Sequence, residues 1–417
     1  MSSPPTPSRR GDALGGTLMI IVSALLCLGA LMVFSAGAGI DQRLDWRHFW
    51  RYSTLRRVAF VPAAWLVLAV LSRCDYRRWL LRESRWWLSP VVGLLVWSVV
   101  LLVLVLIPGV GSPRHDSYRW LQFSPGGIEI TFQPSELAKW SVLIFLAAYA
   151  VRQGPRLREF ARGFLPACGV LLLVVGLIGK EDFGTAALIG AMGAVVLLVA
   201  GVRWWHLALL IPVAALGFYL LVYCNDYRWA RVVAFLEGAD GGRAQGGAYQ
   251  ARQSITAIAS GGLWGKGLGA GAMKLGWIPE DTTDFVFAVV GEELGFAGCA
   301  LLVALFVALL FCSMAIAHRA PDRLGLLLTV GIAGAIGAQA VMNLAVVTGL
   351  APTKGIALPF VSAGGSGLIL TAMATGILVN IARQGSFARQ PTGAPRTRTA
   401  LGPAGPPFIG RFLGEKG

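Results

Sequence analysis

Four polar segments interrupt the long apolar stretches of this chain and hold the side chains that could do chemistry. They are SYRWL (117–121) followed by FQPSELAK (132–139), KEDFGTA (180–186), the stretch 225–284, and APTKGIALPFVSAGGSG (351–367). They carry the carboxylates Glu136, Asp182 and Asp284 and the cations Arg119, Lys139 and Lys354. A carboxylate can act as a general base, and several cations together can hold an anion. The pattern indicates acid–base chemistry on an anionic substrate.

Other kinds of site lack the residues they need. The six cysteines lie in or at the ends of apolar runs without a CxxC pair, which favours packing over disulfides or metal binding. The four histidines are scattered, so no zinc site is predicted. The glycines around Lys266 are not a P-loop, because GKG is followed by leucine. They are better explained by tight backbone folding near a ligand or the helix bundle.

The composition is that of a membrane protein. Of the 417 residues, 56% are hydrophobic and only 14% are charged, against about 25% charged in globular domains. Lys and Arg cluster between the apolar runs, so the net charge of +15 is better matched by anionic lipid head groups than by nucleic acid. No nucleic-acid partner is predicted.

The hydropathy pattern predicts an all-α polytopic membrane protein with about ten transmembrane helices and a large extracytoplasmic loop (225–284) between helices 7 and 8. The spans lie near 17–39, 57–73, 88–108, 136–152, 163–179, 184–202, 204–224, 285–317, 324–349 and 358–383. The membrane domain is residues 17–385, between an N-terminal tail (1–16) and a basic, proline-rich tail (386–417) that we expect to be disordered. The run 285–317 is longer than a bilayer requires, so it should tilt, kink or protrude.

The orientation follows from the positive-inside rule. With the N-terminus in the cytoplasm, the inner segments carry twenty Lys and Arg residues and the short outer loops carry nine. Both termini are therefore predicted to be cytoplasmic, although the Arg-rich loop 40–56 runs against the count. All four polar segments then lie on the outer face.

Two of these polar segments can each be interpreted in two ways. Pro134 suits the start of a helix, and Lys139 lies three residues beyond Glu136 on one helix face. An ion pair entering the membrane is a functional candidate, but a helix cap with a structural ion pair also explains it. Asp182 either belongs to a short surface turn or faces a cavity.

The other two segments border the last three spans. Asp284 directly precedes span 8, and Glu292 and Glu293 follow roughly 12–14 Å further along a helix. Pro359 and Gly364-Gly365 should break the helix before span 10, and such breaks are tolerated only beside protein or a water-filled cavity.

Over residues 17–383 the chain resembles the SEDS family (shape, elongation, division and sporulation) of bacterial cell-wall proteins. The resemblance rests on RWL, FQPSE…K, DFGTA, YQ…ITAIASGG…GKGLG, TDFVFAVVGEELGFAG (283–298) and PTKGIALPFVSAGGSG (352–367). The PTKG and GEELG forms resemble the division member FtsW more than the elongation member RodA.

The resemblance implies an inverting peptidoglycan glycosyltransferase in the cytoplasmic (inner) membrane of a bacterium, with an extracytoplasmic active site and a septal role. Such a protein polymerises lipid II, a disaccharide-pentapeptide on undecaprenyl pyrophosphate, and works with a class B penicillin-binding protein and other divisome membrane proteins. Asp284 matches the family's essential aspartate and would be the catalytic base. The expected substrate contacts are Arg119, Gln133, Ser135, Glu136, Lys139, Asp182, Lys266, Lys354, Ser362 and Ser366. The one candidate cofactor is a divalent cation (Mg²⁺ or Mn²⁺).

Two other functions remain open from the sequence. Buried charges at Asp182, Glu292 and Glu293 would also suit a flippase that carries lipid II across the membrane. Alternatively, the chain is a non-catalytic scaffold that recruits a penicillin-binding protein, although the retained Asp284 argues against this.

Overall fold

The computed structural model describes residues 9–38, 53–81, 85–114, 117–123, 130–236, 247–272 and 283–387. Most of the predicted tails and of the Arg-rich loop 40–56 therefore lies outside the described residues.

Helices account for nearly all of the regular structure. In chain order they are α1 (Arg9–Ala38), α2 (Ser53–Leu71), α3 (Pro90–Val105), α4 (Pro134–Gln153), α5 (Leu165–Gly179), α6 (Phe183–Val199), α7 (Trp204–Ala208), α8 (Leu210–Phe218), α9 (Asp226–Leu236), α10 (Gly247–Ser260), α11 (Val286–His318), α12 (Arg323–Val347) and α13 (Gly365–Phe387). A π-helical turn, Phe160–Phe164, leads into α5, and another, Tyr219–Tyr223, extends α8.

The membrane-spanning helices coincide with the predicted spans. Six described helical stretches are long and apolar enough to cross a bilayer: Ala13–Ser35, Phe160–Gly179, Trp204–Tyr223, Val286–His318, Arg323–Val347 and Gly365–Gly385. Three shorter apolar helices are Ala59–Leu71, Pro90–Val105 and Phe183–Val199. The twenty-residue α4 is long enough to span about 30 Å but carries charged residues. The polytopic helical fold is confirmed.

The interior of the bundle is built from α4, α12 and α13. In α12 and α13, 72% of the most apolar stretch is buried, whereas in Trp204–Tyr223 only 6% is. This outermost stretch exposes Ile211, Leu216 and Leu220 by more than half, as a lipid-facing helix should. The charged residues of α4 thus enter the centre of the protein, where an unpaired charge would be costly.

A three-stranded antiparallel sheet between α3 and α4 adds to the all-helical prediction. Its strands are β1 (Gly111–Arg114), β2 (Ser117–Phe123) and β3 (Ile130–Phe132), in the order β1-β2-β3. Leu121 pairs with Phe132, which lies two residues before α4 begins. The sheet therefore fixes β2, and Arg119 on it, relative to the start of α4.

Helix α11 is broken at Gly295, which has a left-handed φ of 67°. The glycine-rich segment 261–269 fills the break, and Gly262, Gly265, Gly267 and Gly269 also have positive φ. Four main-chain hydrogen bonds join the two: Lys266 and Gly267 donate to the carbonyls of Glu292 and Glu293 (3.0 and 3.1 Å), and Phe296 and Ala297 donate to Gly262 and Leu263 (2.9 and 3.1 Å). Of the tilt, kink or protrusion expected for this long span, the kink is present, and the glycines serve tight folding against the bundle.

Gly295→Ala should strongly destabilise the protein. A Cβ atom at this position would lie 2.3 Å from the Gly265 nitrogen, in a left-handed conformation. We expect a loss of roughly 3 kcal/mol or more, seen as a lower midpoint of thermal unfolding in detergent. The control is Gly169→Ala in α5, where an added Cβ has open space. An unchanged midpoint for Gly295→Ala would show that the break is not required.

Candidate active site

Two carboxamides on one face of α12 hold the irregular segment 351–364 in place. Gln339 donates to the carbonyl of Ala357 at 2.8 Å. Asn343, one turn further along, donates to the carbonyls of Ile356 and Asp284, both at 2.7 Å. Backbone carbonyls that leave a helix inside a membrane protein need such donors, because lipid offers none. The predicted helix break is confirmed, since α13 begins only at Gly365.

Asp284 lies just before α11 and is partly buried. Its backbone is held on one side by Asn343 and on the other by Ser362, whose hydroxyl donates to the carbonyl of Thr283 and accepts from the Leu358 N–H. A Cβ atom on Gly355 would lie 2.8 Å from the Asp284 carboxylate, so a side chain there would displace it. Ser362 thus positions the aspartate, and its direct contact with substrate stays a prediction.

Lys139 is completely buried in the first turns of α4. Its ammonium group donates to Glu136 and to Gln339, each at 2.7 Å, and lies 4.7 Å from the centre of the Trp140 ring. The predicted pairing of Glu136 with Lys139 is therefore present. Because Gln339 also binds Ala357, the ion pair is tied to the segment that borders Asp284.

The starts of α4 and α13 meet beside this pair. The Gln133 N–H donates to the hydroxyl of Ser366 at 3.3 Å, and Ser135 is buried in the first turn of α4. A Cβ atom on Gly367 would lie 3.5 Å from the carboxylate of Glu136, which is ordinary van der Waals distance. Both helices begin here, and the N-terminal ends of helices favour negative charge.

A second group of charges surrounds Asp182 at the start of α6. Asp182 caps the helix by accepting from the Thr185 N–H (3.1 Å) and hydroxyl (2.8 Å), and its carboxylate is 3.9 Å from Arg119. Arg119 also donates to the carbonyl of Glu181 at 2.9 Å. Asp182 is thus a buried helix cap with a cationic neighbour, and its contact with a substrate cavity stays a prediction.

Lys354 joins this group from the segment 351–364. Its ammonium group lies 4.8 Å from the centre of the Phe183 ring, and the Cβ position of Gly184 is 3.1 Å from its side chain and 3.5 Å from the Asp182 carboxylate. Burial lowers the pKa of Lys354; Asp182 opposes this shift and Arg228 adds to it. Lys354 and Gly355 are consecutive, so one short stretch contacts both the cation group and Asp284.

Arg228 and Arg231 of α9 are two further residues of this region that the sequence did not single out. Arg228 donates to the carbonyls of Gly179, Lys180 and Leu221, and Arg231 donates to the carbonyl of Thr353. Burial and then the charge of Arg119 lower the pKa of Arg228, while Asp182 and Glu181 oppose the shift. The two arginines of YRWAR, at the start of the predicted outer loop, were the feature of the sequence that could have indicated these cations.

Lys266 lies apart from the other predicted contacts. It pairs with the buried Glu292 at 2.7 Å, roughly 12 Å along α11 from Asp284. Within the part of the chain that the structure describes, no hydrogen bond, ion pair or ring contact joins it to Arg119, Lys139 or Lys354. The interpretation of Lys266 as a substrate contact therefore stays a prediction without support from its geometry.

A protein-held metal centre finds little support in these side chains. Within the described ranges, no three His, Cys, Asp or Glu side chains gather closely enough to hold a metal ion. Glu136 and Asp182 both face cations or N–H donors instead. The divalent cation stays a prediction, and no step below depends on it.

Asn343→Leu should loosen the site. The change leaves the carbonyls of Ile356 and Asp284 without their shared donor, at about 1–3 kcal/mol for each. We expect a lower midpoint of thermal unfolding in detergent and faster proteolysis of the segment 351–364. Val341→Leu is the control, because Val341 lies on the exposed face of the same helix. A wild-type midpoint and proteolysis pattern for Asn343→Leu would contradict the role of this amide.

The fold and site together define a multi-pass helical membrane protein in which separate elements bring carboxylates and cations together at one end of the bundle. The family model for FtsW, RodA and SpoVE, described as "Cell cycle protein", matches residues 16–386. The chain therefore belongs to the FtsW/RodA/SpoVE family, as the sequence motifs predicted.

The relatives agree with this assignment. A Geobacter sulfurreducens protein named "Probable peptidoglycan glycosyltransferase FtsW" is 37% identical, over 87% of this chain and 94% of its own length. "Stage V sporulation protein E" of Bacillus subtilis is also 37% identical, over 89% and 97%. The glycosyltransferase activity expected from the sequence is thus the activity for which similar proteins are named.

Two solved structures are similar as well. A chain of a peptidoglycan synthase complex, studied for the coordination of polymerization and crosslinking, has a TM-score of 0.68 at 28% identity, covering 88% of this chain and 97% of that one. The rod shape determining protein RodA of Thermus thermophilus has a TM-score of 0.60 at 29% identity, covering 88% and 96%.

Proposed function

We propose that this chain is a peptidoglycan glycosyltransferase that polymerises lipid II into glycan strands at the outer face of the bacterial cytoplasmic membrane, with a role in septal synthesis. The observation that carries the proposal is the pair Lys354-Gly355. Gly355 lies against the Asp284 carboxylate, while Lys354 reaches the group of Arg119 and Asp182. A base and an anion-binding group thus share one short stretch of chain.

Asp284 acts as the general base in this mechanism. Its carboxylate takes the proton from the 4-hydroxyl of the acceptor sugar as that oxygen attacks C1 of the donor sugar. The bond from C1 to the pyrophosphate oxygen breaks on the opposite side, so an α-linked donor becomes a β-linked product. A positioned base contributes about 10²–10⁴ in rate. The main-chain contacts from Asn343 and Ser362 fix the position of Asp284.

Arg119 and Lys354 hold the departing pyrophosphate. Negative charge builds up on it in the transition state, and fixed cations in a partly buried site stabilise such charge without reorganisation. Arg119 is about one-third exposed, so it can reach a ligand while its guanidinium is held by Glu181 and Asp182. Glu136 and Asp182 orient Lys139 and Arg119, and Gln133, Ser135, Ser362 and Ser366 line the adjoining helix starts.

The partner we propose is a class B penicillin-binding protein, with other divisome membrane proteins around it. The support is the similarity to a chain of a peptidoglycan synthase complex. The orientation, with both termini cytoplasmic, rests on the distribution of Lys and Arg over the loops.

The distribution of buried charge favours a polymerase over a flippase. Among the described residues, the buried charged side chains are Lys139, Asp182, Glu292 and Glu293. All four lie within the first two to three turns of helices that begin on the proposed outer face. A carrier of a charged head group needs polar groups through the full thickness of the bundle.

Asp284→Asn should abolish polymerisation of purified lipid II in the presence of the penicillin-binding partner. The amide keeps the size of the side chain but cannot accept the hydroxyl proton, so the rate should fall about 10²-fold or more. The measurement is glycan chain formation on gels. Asp226→Asn, at an exposed helix start on the same face, should keep wild-type activity. If Asp284→Asn makes polymer at the wild-type rate, Asp284 is not the base.

Lys354→Ala should weaken lipid II turnover by about tenfold to a hundredfold, because one charge-assisted contact to the pyrophosphate is lost. The lowered pKa of Lys354 means that its charge is lost at a lower pH than that of an exposed lysine. The alkaline limb of kcat/KM should therefore move to higher pH in Lys354→Arg. Unchanged kinetics for both variants would remove Lys354 from the site.

A further inference from the structure

The outer half of α11, Val286–Leu294, begins two residues after Asp284. The break at Gly295 separates it from the lower half, which continues to His318. Its nine residues are about 13 Å long. Helical hydrogen bonds cannot pass through a residue with the backbone angles of Gly295, so the angle between the two halves must be fixed by other contacts.

Four main-chain hydrogen bonds bridge the break, and one ion pair adds a side-chain contact to them. Lys266 donates to the Glu292 carboxylate at 2.7 Å, and the Ala272 N–H donates to the same oxygen at 2.9 Å. Glu292 is completely buried, whereas the side chain of Lys266 is 36% exposed. Removing a cation from beside a buried carboxylate destabilises the carboxylate where it lies. The lysine therefore holds the last turn before the break in its present place.

Part of the packing around the outer half comes from the 247–272 segment, and on another side Ser35 of α1 donates to Glu293 at 2.6 Å. Gly291 lies against Ile258 of α10, and a Cβ on Gly261 would overlap the Gly291 carbonyl. Helix α10 is fixed in turn by Ser254, whose hydroxyl donates to the Val347 carbonyl at the end of α12. The outer half of α11 thus packs against α10, and α10 is bonded to the end of α12, close to the segment 351–364.

We propose that Lys266 is a positioning residue: its ion pair with Glu292 holds the outer half of α11 at the Gly295 break, and with Asn343 and Ser362 it thereby keeps Asp284 in position. Movement of the 247–272 segment would release this ion-pair lock and displace the base. The effect on turnover rests on the function proposed above, but the lock itself does not. Lys266 acts through Glu292 and does not touch the substrate.

The lock can be tested by hydrogen–deuterium exchange on the full chain in detergent. Lys266→Met should raise amide exchange across 286–294 by on the order of tenfold or more, and leave 300–316 unchanged. Lys266→Arg should stay close to wild type because it keeps a cation beside Glu292, and the double variant Lys266→Met/Glu292→Gln should do so because it removes the buried charge itself. Arg252→Met, which removes an exposed charge from α10, is the matched control. No change in Lys266→Met, or an equal rise in both halves of α11, would overturn the proposal.

Steady-state polymerisation then separates positioning from substrate binding. Lys266→Met should lower kcat about tenfold or more with KM for lipid II within about twofold, and the double variant should recover most of kcat. A raised KM with unchanged kcat, or no recovery in the double variant, would make Lys266 a substrate contact and overturn the proposal. If the wild type forms no polymer, the proposed function fails while the exchange experiment still decides the lock.

Discussion

The site depends on two amide side chains in the middle of an apolar helix. Gln339 and Asn343 of α12 supply the donors that an irregular backbone segment needs inside a membrane protein. Gln339 also accepts from Lys139, so the same side chain binds the buried ion pair of α4. Through these contacts α4, α12, the segment 351–364 and the start of α11 form one connected structure.

This connection explains how residues far apart in sequence come to act together. The proposed base, Asp284, lies just before α11, and the neighbouring cations come from β2, from α9 and from the segment 351–364. Each is anchored through a backbone carbonyl, as in the contacts of Arg228 with Gly179 and of Arg231 with Thr353. The charged side chains are thereby held before any substrate arrives, as electrostatic catalysis requires.

Much of the fold followed from the sequence because its causes are local. Apolar length predicts spans, Pro134 predicts the start of α4, and the spacing of Glu136 and Lys139 predicts their ion pair. Pro359 and Gly364 likewise predicted the break before α13.

The parts that escaped prediction depend on contacts distant in sequence. Lys139 and Gln339 are 200 residues apart, and hydropathy treats an amide within an apolar span as a minor interruption. Two amides one turn apart in such a span were nevertheless a signal, because polar groups in membrane helices are rarely without a partner. The small sheet and the role of Arg228 depend on how loops fold, and the periodicity of apolar residues does not predict that. The pairing of Lys266 with Glu292 depends on the glycine-rich segment entering the α11 break.

The most direct test is a structure of the protein, with its partner, bound to a non-hydrolysable lipid II analogue. The pyrophosphate is predicted to contact Arg119 and Lys354, with the acceptor 4-hydroxyl about 3 Å from the Asp284 carboxylate. Lys266 should remain paired with Glu292. A pyrophosphate bound at Lys266, or an acceptor hydroxyl beyond reach of Asp284, would contradict the placement of the active site.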